Sequence, residues 1–345
     1  MQKNKTALAI VALCASLGGA ATGHAQSSVQ INGLVDVYAG SIKRIGDGER
    51  KAVVNSSGMT TSWFGFSGSE DLGSGWKANF MLNAFFQPDS GIPGRFANDT
   101  FFSRDAFVGL SGGFGEVKLG RFKAPNFLPS VFGNPLGDSF AFSPLIVHKN
   151  VPLFNASQWQ STTPADTGWA NQIGYTTPNM GGFQANLQYQ FGEQADDNSK
   201  KNIGANFFYS LGALRLTGYW ERDQIRNPAP NEWLGTTKKD WMLATSYDFK
   251  VVKPYLSYGQ NEADNAPGKA KTLQLGAAIP LGAGKVLASW AKTELTALDA
   301  NRKTFTIGYD HDLSKRTDVY AMLMNDKMTG QTSGNSFGVG IRHRF

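Results

Sequence analysis

The residues from Ser336 to Phe345 alternate without a break. Phe337, Val339, Ile341, His343 and Phe345 fall on one face; Ser336, Gly338, Gly340, Arg342 and Arg344 fall on the other. A period of two is a strand with one apolar and one polar side. The last residue is an aromatic ring, and no tail follows it to cover the strand's edge. Such an edge invites aggregation in water. The hazard disappears if the first strand pairs with the last and closes a barrel. Val29–Val37 is suited to that role. Its odd positions are mostly apolar and its even positions mostly polar.

The same pattern recurs along the chain. Phe183, Ala185, Leu187, Tyr189 and Phe191 alternate with Gln184, Asn186, Gln188 and Gln190. Leu214, Leu216, Gly218 and Trp220 alternate with Arg215, Thr217, Tyr219 and Glu221, and Leu273, Leu275, Ala277 and Ile279 with Thr272, Gln274, Gly276 and Ala278. A file of amides is costly in a dry core, so the polar face must be wet. The opposite face is too apolar to be wet as well.

Seven short turns are expected, at 69–75, 112–115, 179–182, 211–213, 249–251, 281–284 and 312–315. Eight longer polar connections are expected, at 41–59, 87–99, 123–168, 193–200, 223–238, 261–269, 295–301 and 326–334. The two classes alternate, and fifteen connections join sixteen strands. Strands of about ten residues, with short turns at one end and long loops at the other, describe an antiparallel transmembrane β-barrel. Unpaired backbone groups are not tolerated in hydrocarbon, so the sheet must close. Sixteen strands enclose an aqueous channel. A soluble sandwich would bury the apolar faces between two sheets instead. The 24 phenylalanines, the terminal ring and the two classes of loop favour the barrel.

At the amino terminus, Lys3 and Lys5 precede an apolar run from Ala7 to Leu17, and Gly23-His24-Ala25 supplies small residues before a cut. The pattern predicts a cleaved signal peptide over 1–25, with the barrel as a single domain over 26–345; a buried helix is the alternative. The only cysteine, Cys14, lies in that apolar run, so no disulfide, thiolate metal site or cysteine nucleophile is expected after cleavage. Removing Lys3 and Lys5 from the formal charge of +6 leaves +4, spread without a basic block, which gives nucleic-acid binding little support.

The connection over 123–168 is far longer than an ordinary loop. It carries Phe127, Phe132, Phe140, Phe142, Leu145, Ile146, Val147, Leu153, Phe154 and Trp159, which need an enclosed place to bury. The barrel interior is the nearest one. The expectation is an inward fold that narrows the channel; a flat lid over the mouth is the alternative.

Two long motifs, Trp63-Phe-Gly-Phe-Ser-Gly-Ser-Glu-Asp-Leu72 and Arg104-Asp-Ala-Phe-Val-Gly-Leu-Ser-Gly-Gly-Phe-Gly115, stand with Leu119-Gly-Arg121 and the ending Gly340–Phe345. Together they resemble the trimeric general porins of Gram-negative outer membranes, in their betaproteobacterial branch. The resemblance implies a trimeric sixteen-stranded barrel in the outer-membrane lipid, with an inward third extracellular loop. It further implies passive diffusion of small hydrophilic solutes and ions, no cofactor, and a terminal strand ending in Phe345 that the barrel-assembly machinery reads. It also implies a ladder of wall arginines facing loop carboxylates. Here that ladder is thinned. Trp63 and Ser67 stand where arginine and lysine are usual, and Gly168 where another arginine is expected. Arg104 and Arg121 remain; Lys123 begins the loop, which carries Asp138 and Asp166, with His148 and Lys149 as further positive charge. The expected pore-lining set is Trp63, Ser67, Arg104, Arg121, Lys123, Asp138 and Gly168. A weakly anion-selective or unselective pore follows, with Trp63 either an aromatic platform or a packing residue. A substrate-specific channel with a saturable aromatic-lined site is the other reading. If Arg104 points inward, strand parity sends Asp105 outward, where a carboxylate is penalised; a subunit contact or the extracellular rim is the alternative for it. Arg342 and Arg344 are expected on the lumen face, near the periplasmic end and away from the third loop.

No catalytic or metal site is expected. His148, His311 and His343 sit in no nucleophile motif, and no Gly-x-Ser-x-Gly lies at a strand-to-helix turn. No phosphate loop, dinucleotide fingerprint or metal cluster appears.

Overall fold

In the computed structural model the described residues are 28–149, 168–195, 199–227, 231–265 and 268–345. The expected signal peptide, with Cys14, lies outside them. So do residues 150–167 of the long connection, with Leu153, Phe154, Trp159 and Asp166.

The strands are β1 (Ser28–Ile42), β2 (Lys51–Ser56), β3 (Trp63–Gly73), β4 (Trp76–Gln87), β5 (Ile92–Pro93) and β6 (Asp105–Gly112). β7 (Gly115–Lys123), β8 (Gly168–Thr176), β9 (Phe183–Phe191), β10 (Lys201–Leu211), β11 (Leu214–Ile225) and β12 (Trp233–Tyr247) follow. β13 (Lys253–Ala263), β14 (Ala270–Leu281), β15 (Gly284–Leu295), β16 (Ala300–Asp312), β17 (Thr317–Met328) and β18 (Gly334–Arg344) complete the sheet. All pairings are antiparallel, and β18 pairs with β1 from Leu34↔Arg344 to Ser41↔Phe337. The edge exposed by the terminal alternation is thereby closed.

At that seam the Phe345 backbone N–H donates to the Gly33 carbonyl at 3.0 Å, and the Gly33 N–H donates to the Phe345 carbonyl at 3.1 Å. The Phe345 ring lies where a Cβ on residue 33 would be, so glycine there lets the terminal ring lie flat on the seam, and a larger residue would displace it.

β2 and β5 are not wall strands, which leaves sixteen of the eighteen to form the barrel. Both lie inside stretches expected to be plain loops. β2 pairs with the upper half of β1, Val37–Ile42, whereas β3 pairs with its lower half, Ser28–Leu34. The first long connection therefore folds back as a short strand that satisfies the backbone groups of β1 above the point where β3 leaves it. Some strands also outrun their expected ends. β3 continues to Gly73, and β11 and β12 extend to Ile225 and from Trp233. A hairpin that rises out of the membrane keeps its ladder bonds in water, so polarity alone does not mark where it stops.

The alternation is obeyed along the wall. On β18 Phe337, Val339 and Ile341 are exposed on the outer side, while Ser336, Gly338, Gly340 and Arg342 are buried on the inner side. The described part of the 123–168 connection forms two short helices, α1 (Phe127–Phe132) and α2 (Pro144–Lys149). α1 packs on β10–β12 and α2 on β14–β16.

Candidate functional site: the inner wall and the third long connection

The loop residues that the sequence marks as needing burial find it on the polar side of the wall. Phe142 is fully buried among Tyr38, Met59, Leu136, Leu287, Tyr320 and Met322. Its ring lies against Gly338, where a Cβ would come within 2.7 Å. Leu145 packs with Tyr219, Met242 and Ala244. Fully burying side chains of this size contributes roughly 1.5–3 kcal/mol each.

Polar contacts fix the loop's register. Ser139 donates to the Gly58 carbonyl at 2.5 Å. The 58–60 segment is itself held by Asp36, whose carboxylate accepts the N–H groups of Gly58, Met59 and Thr60 at 3.1, 2.9 and 2.8 Å, and the Tyr320 hydroxyl at 2.5 Å. Asp36 is absent from the residues that sequence reasoning singles out. It was visible there only as one more polar residue of the first strand.

Farther along, Lys149 pairs with Asp240 at 2.5 Å and donates to Asn261 at 2.9 Å. Burial pulls its ammonium below the ordinary lysine range, and Asp240 opposes that pull. The His148 ring sits between two threonines, with Nδ1 2.8 Å from Thr293 and Nε2 2.7 Å from Thr304. The Thr304 hydroxyl donates to Asp326 at 2.6 Å, so it must accept from Nε2–H; Nδ1 then accepts from Thr293. Burial, with the Arg302 guanidinium nearby, holds this imidazole well below its ordinary range. His148 is therefore neutral, and Lys149 is cancelled by its partner. Neither contributes the positive charge expected of it.

On the facing part of the wall, the Arg104 guanidinium lies 4.0 Å from the centre of the Trp63 ring. Its Nε is 3.4 Å from Asp105. Lys123 binds the same carboxylate at 2.8 Å, and Asn83 donates to it at 3.0 Å. Asp105 is buried on the inner side, while Val108 and Leu110 are exposed on the outer side. The placement of Asp105, which parity alone leaves open, is thus inward: Arg104 precedes β6, so strand parity does not tie the two together. One face of the Trp63 platform is occupied by Arg104.

Asp138 is half-buried, and its surroundings push its carboxyl up; Arg104, the Thr60 hydroxyl and Arg342 pull it back. Arg342 donates to Thr60 at 2.9 Å and pairs with Asp318 at 3.0 Å. The expectation that Arg342 lies away from the third loop is therefore also corrected. Through Thr60 it belongs to the same charge group as Asp138 and Arg104.

The other expected residues stand apart. Arg121 is buried and donates to the Ser103 carbonyl at 2.8 Å; its register partner is Ala106, on the parity of exposed Val108. Gly168 pairs with Lys123 at the start of β8. Ser67 accepts from Asn32 at 3.0 Å. It lines a cavity of about 490 Å³ with Asn79, Asp105, Lys118, Lys123, Asn186 and Gln188. Among the described residues no group of three or more His, Cys, Asp or Glu could hold a metal.

A closed sixteen-stranded wall, apolar outside and polar within, with charged groups converging on a loop packed against its inner side, defines a transmembrane channel barrel. The family model described as "Gram-negative porin" matches residues 7–331, and the chain belongs to that family. It is 32% identical to outer membrane porin protein 32 of Delftia acidovorans over all of both chains. It is 28% identical to an outer membrane porin protein of Bordetella pertussis, covering 99% of this chain and 100% of that one. A solved anion-selective porin from Comamonas acidovorans superposes with a TM-score of 0.78 at 29% identity, over 93% of this chain and 100% of that one. OmpT of Vibrio cholerae, in its trimer form, matches at a TM-score of 0.68 with 14% identity over 92% of this chain and 99% of that one, and shares the fold alone. The protein is a non-enzymatic porin of the Gram-negative outer membrane, a general diffusion channel.

Proposed function

We propose that this porin passes small hydrophilic solutes and ions with weak anion preference or none, and that residues 123–168 are its constriction loop. The narrowing lies between Asp138 on the loop and Arg104, Trp63 and Arg342 on the wall. One observation carries the reading. Cations of the inner wall and of the loop are matched by carboxylates: Lys123 by Asp105, the loop's Lys149 by Asp240, Arg302 by Asp326 and Arg342 by Asp318. Charges so paired leave little net field for a passing ion, and roughly 1 kcal/mol or less acts across 4 Å of water. The anion-selective porin of Comamonas acidovorans supports the sign of any residual preference.

Reversal potentials in planar bilayers under a KCl gradient test this. The expected result is a small potential of anion-selective sign or none; a strong preference for either ion overturns the reading. The saturable aromatic site loses support because Arg104 already stacks on Trp63. Current that saturates with one solute class would restore it.

The same reading takes the protein as a homotrimer whose terminal strand, ending in Phe345, is recognised by the barrel-assembly machinery. It takes residues 1–25 as a signal peptide. Migration of the unheated protein in electrophoresis and amino-terminal sequencing of the exported chain test the trimer and the cut before Gln26.

A further inference from the structure

We propose that residues 57–62 form a second, fixed edge of the narrowing, that Asp36 is the positioning residue of this segment, and that Thr60 on it sets how the opposed charges Asp138 and Arg342 stand toward passing ions. The inference rests on the reading of residues 123–168 as the constriction loop.

The segment exists because β2 and β3 do not meet along β1. β2 ends at Ser56, near Val37, and β3 begins at Trp63, opposite Leu34. Residues 57–62 therefore cross a gap that three steps of β1 span, and the surplus chain must bulge to one side of the wall. It bulges inward. Ser57 turns the chain in the left-handed region, at φ 68°. Met59 is buried in the cluster that holds the loop's Leu136 and Phe142. A Cβ on Gly58 would collide with the Tyr320 hydroxyl, so the backbone lies directly against that inner-wall ring. Ser57 and Thr61 border an open cavity of about 230 Å³ with the loop's Phe140 and Ala141.

Asp36 stands in the gap. Its carbonyl accepts the Ser57 N–H at 2.7 Å, and its N–H donates to the Ser62 hydroxyl at 2.9 Å. Those bonds replace the missing stretch of ladder, as a closed wall in lipid requires. They would be enough if the segment only closed the sheet. The carboxylate does something else: it gathers the N–H groups of Gly58, Met59 and Thr60. These are the three residues that meet the loop. The Gly58 carbonyl accepts from Ser139, Met59 packs with Phe142, and the Thr60 hydroxyl lies between Arg342, at 2.9 Å, and Asp138. Arg342 is also tied to Asp318. Without the Thr60 hydroxyl, the carboxylate on the loop is thus the freer of the two charges, and selectivity should move toward cations.

The test uses the purified full-length porin in planar bilayers under a KCl gradient. Thr60→Val, of nearly the same shape, should raise the cation-to-anion permeability ratio about two- to threefold, a modest change because water screens a displaced charge. Thr60→Ser keeps the hydroxyl and should match the parent. Asp36→Ala should shift the ratio the same way, and adding Thr60→Val to it should change little further, because both act through one segment. If Asp36→Ala does not fold, Asp36→Asn, which keeps one acceptor oxygen, should give a smaller shift of the same sign. An unchanged ratio in Thr60→Val, additive shifts in the double variant, or a Thr60→Ser variant that behaves like Thr60→Val would each overturn the proposal. Asp138→Asn separates it from the reading beneath it, and should move the ratio toward anions. No shift there overturns the constriction reading and the proposal together; that shift with an unchanged Thr60→Val overturns the proposal alone.

Discussion

Two parts of the same inner wall are built on one alternating pattern and serve opposite ends. From β11 to β17 the polar side is covered by the third long connection. There Lys149 and His148 are buried, and each has named polar partners on the wall. From β1 to β7 the polar side borders a cavity of about 490 Å³, with Ser67, Lys118 and Lys123 along it. A charge on the covered part holds the loop in place; a charge on the open part meets solutes. Which role an inward residue plays depends on where the loop lies, since every inward residue has the same parity.

Substitutions can break or sharpen this contrast. The largest effect is expected at Asp240→Ala, which leaves the Lys149 ammonium buried without its carboxylate. Removing one partner of a buried pair costs about 3–5 kcal/mol, and the loop should leave its seat. Limited proteolysis of the folded barrel should then cut within 123–168, and channel current should become larger and noisier. If current and protease resistance stay as in the parent, the pair does not hold the loop.

Leu145→Ala comes next. Truncating a buried leucine costs roughly 2–5 kcal/mol, here shared among Tyr219, Met242 and Ala244. The same two measurements should move in the same direction by less. A matching truncation on the open wall should leave loop proteolysis unchanged.

The third effect is set by pH. Burial holds His148 well below its ordinary value, so the released loop binds a proton that the seated loop does not. Stability of the seat is complete above about pH 6.5, the unperturbed value, and declines as pH falls below it. Current noise should rise over that acid range in the parent. His148→Gln should remove the component that begins near the histidine value and leave any carboxylate component at lower pH. An unchanged pH profile in the variant would place the titration elsewhere.

The smallest effects are expected on the open wall. Arg104→Gln removes a cation that faces Asp138, and reversal potentials should shift toward cations without any change in loop proteolysis. Trp63→Ala removes a ring contact worth about 0.5–2 kcal/mol. It should shift selectivity less than Arg104→Gln, by loosening the guanidinium without removing its charge. A larger shift from Trp63→Ala would make the ring itself the dominant group of the narrowing.

Much of this was legible in the strands. Phe337, Val339 and Ile341 against Gly338, Gly340 and Arg342 state which side meets lipid, and Val29–Val37 states what closes on them. The landing place of the loop also left a trace. Tyr320, Met322 and Met324 interrupt the polar face of β17 between Asp318 and Asp326, and Met242 and Ala244 do so on β12. Apolar residues on a face that must be wet signal a surface that another part of the chain covers. Asp105 was not placed by its sequence because Arg104 stands outside the strand, where a period of two has no force. Arg342 was misplaced because its guanidinium reaches Thr60 from a distant part of the chain.

The sequence by itself determined a closed, alternating sheet, greasy without and polar within, because strand geometry sends each second residue to the same side whatever surrounds it. Only the tertiary structure decided which cations are cancelled, which histidine stays neutral, and that Asp36, Thr60, Asp138 and Arg342 come together. Those outcomes depend on distances between residues far apart in the chain, and electrostatic energy follows distance and burial more than residue type.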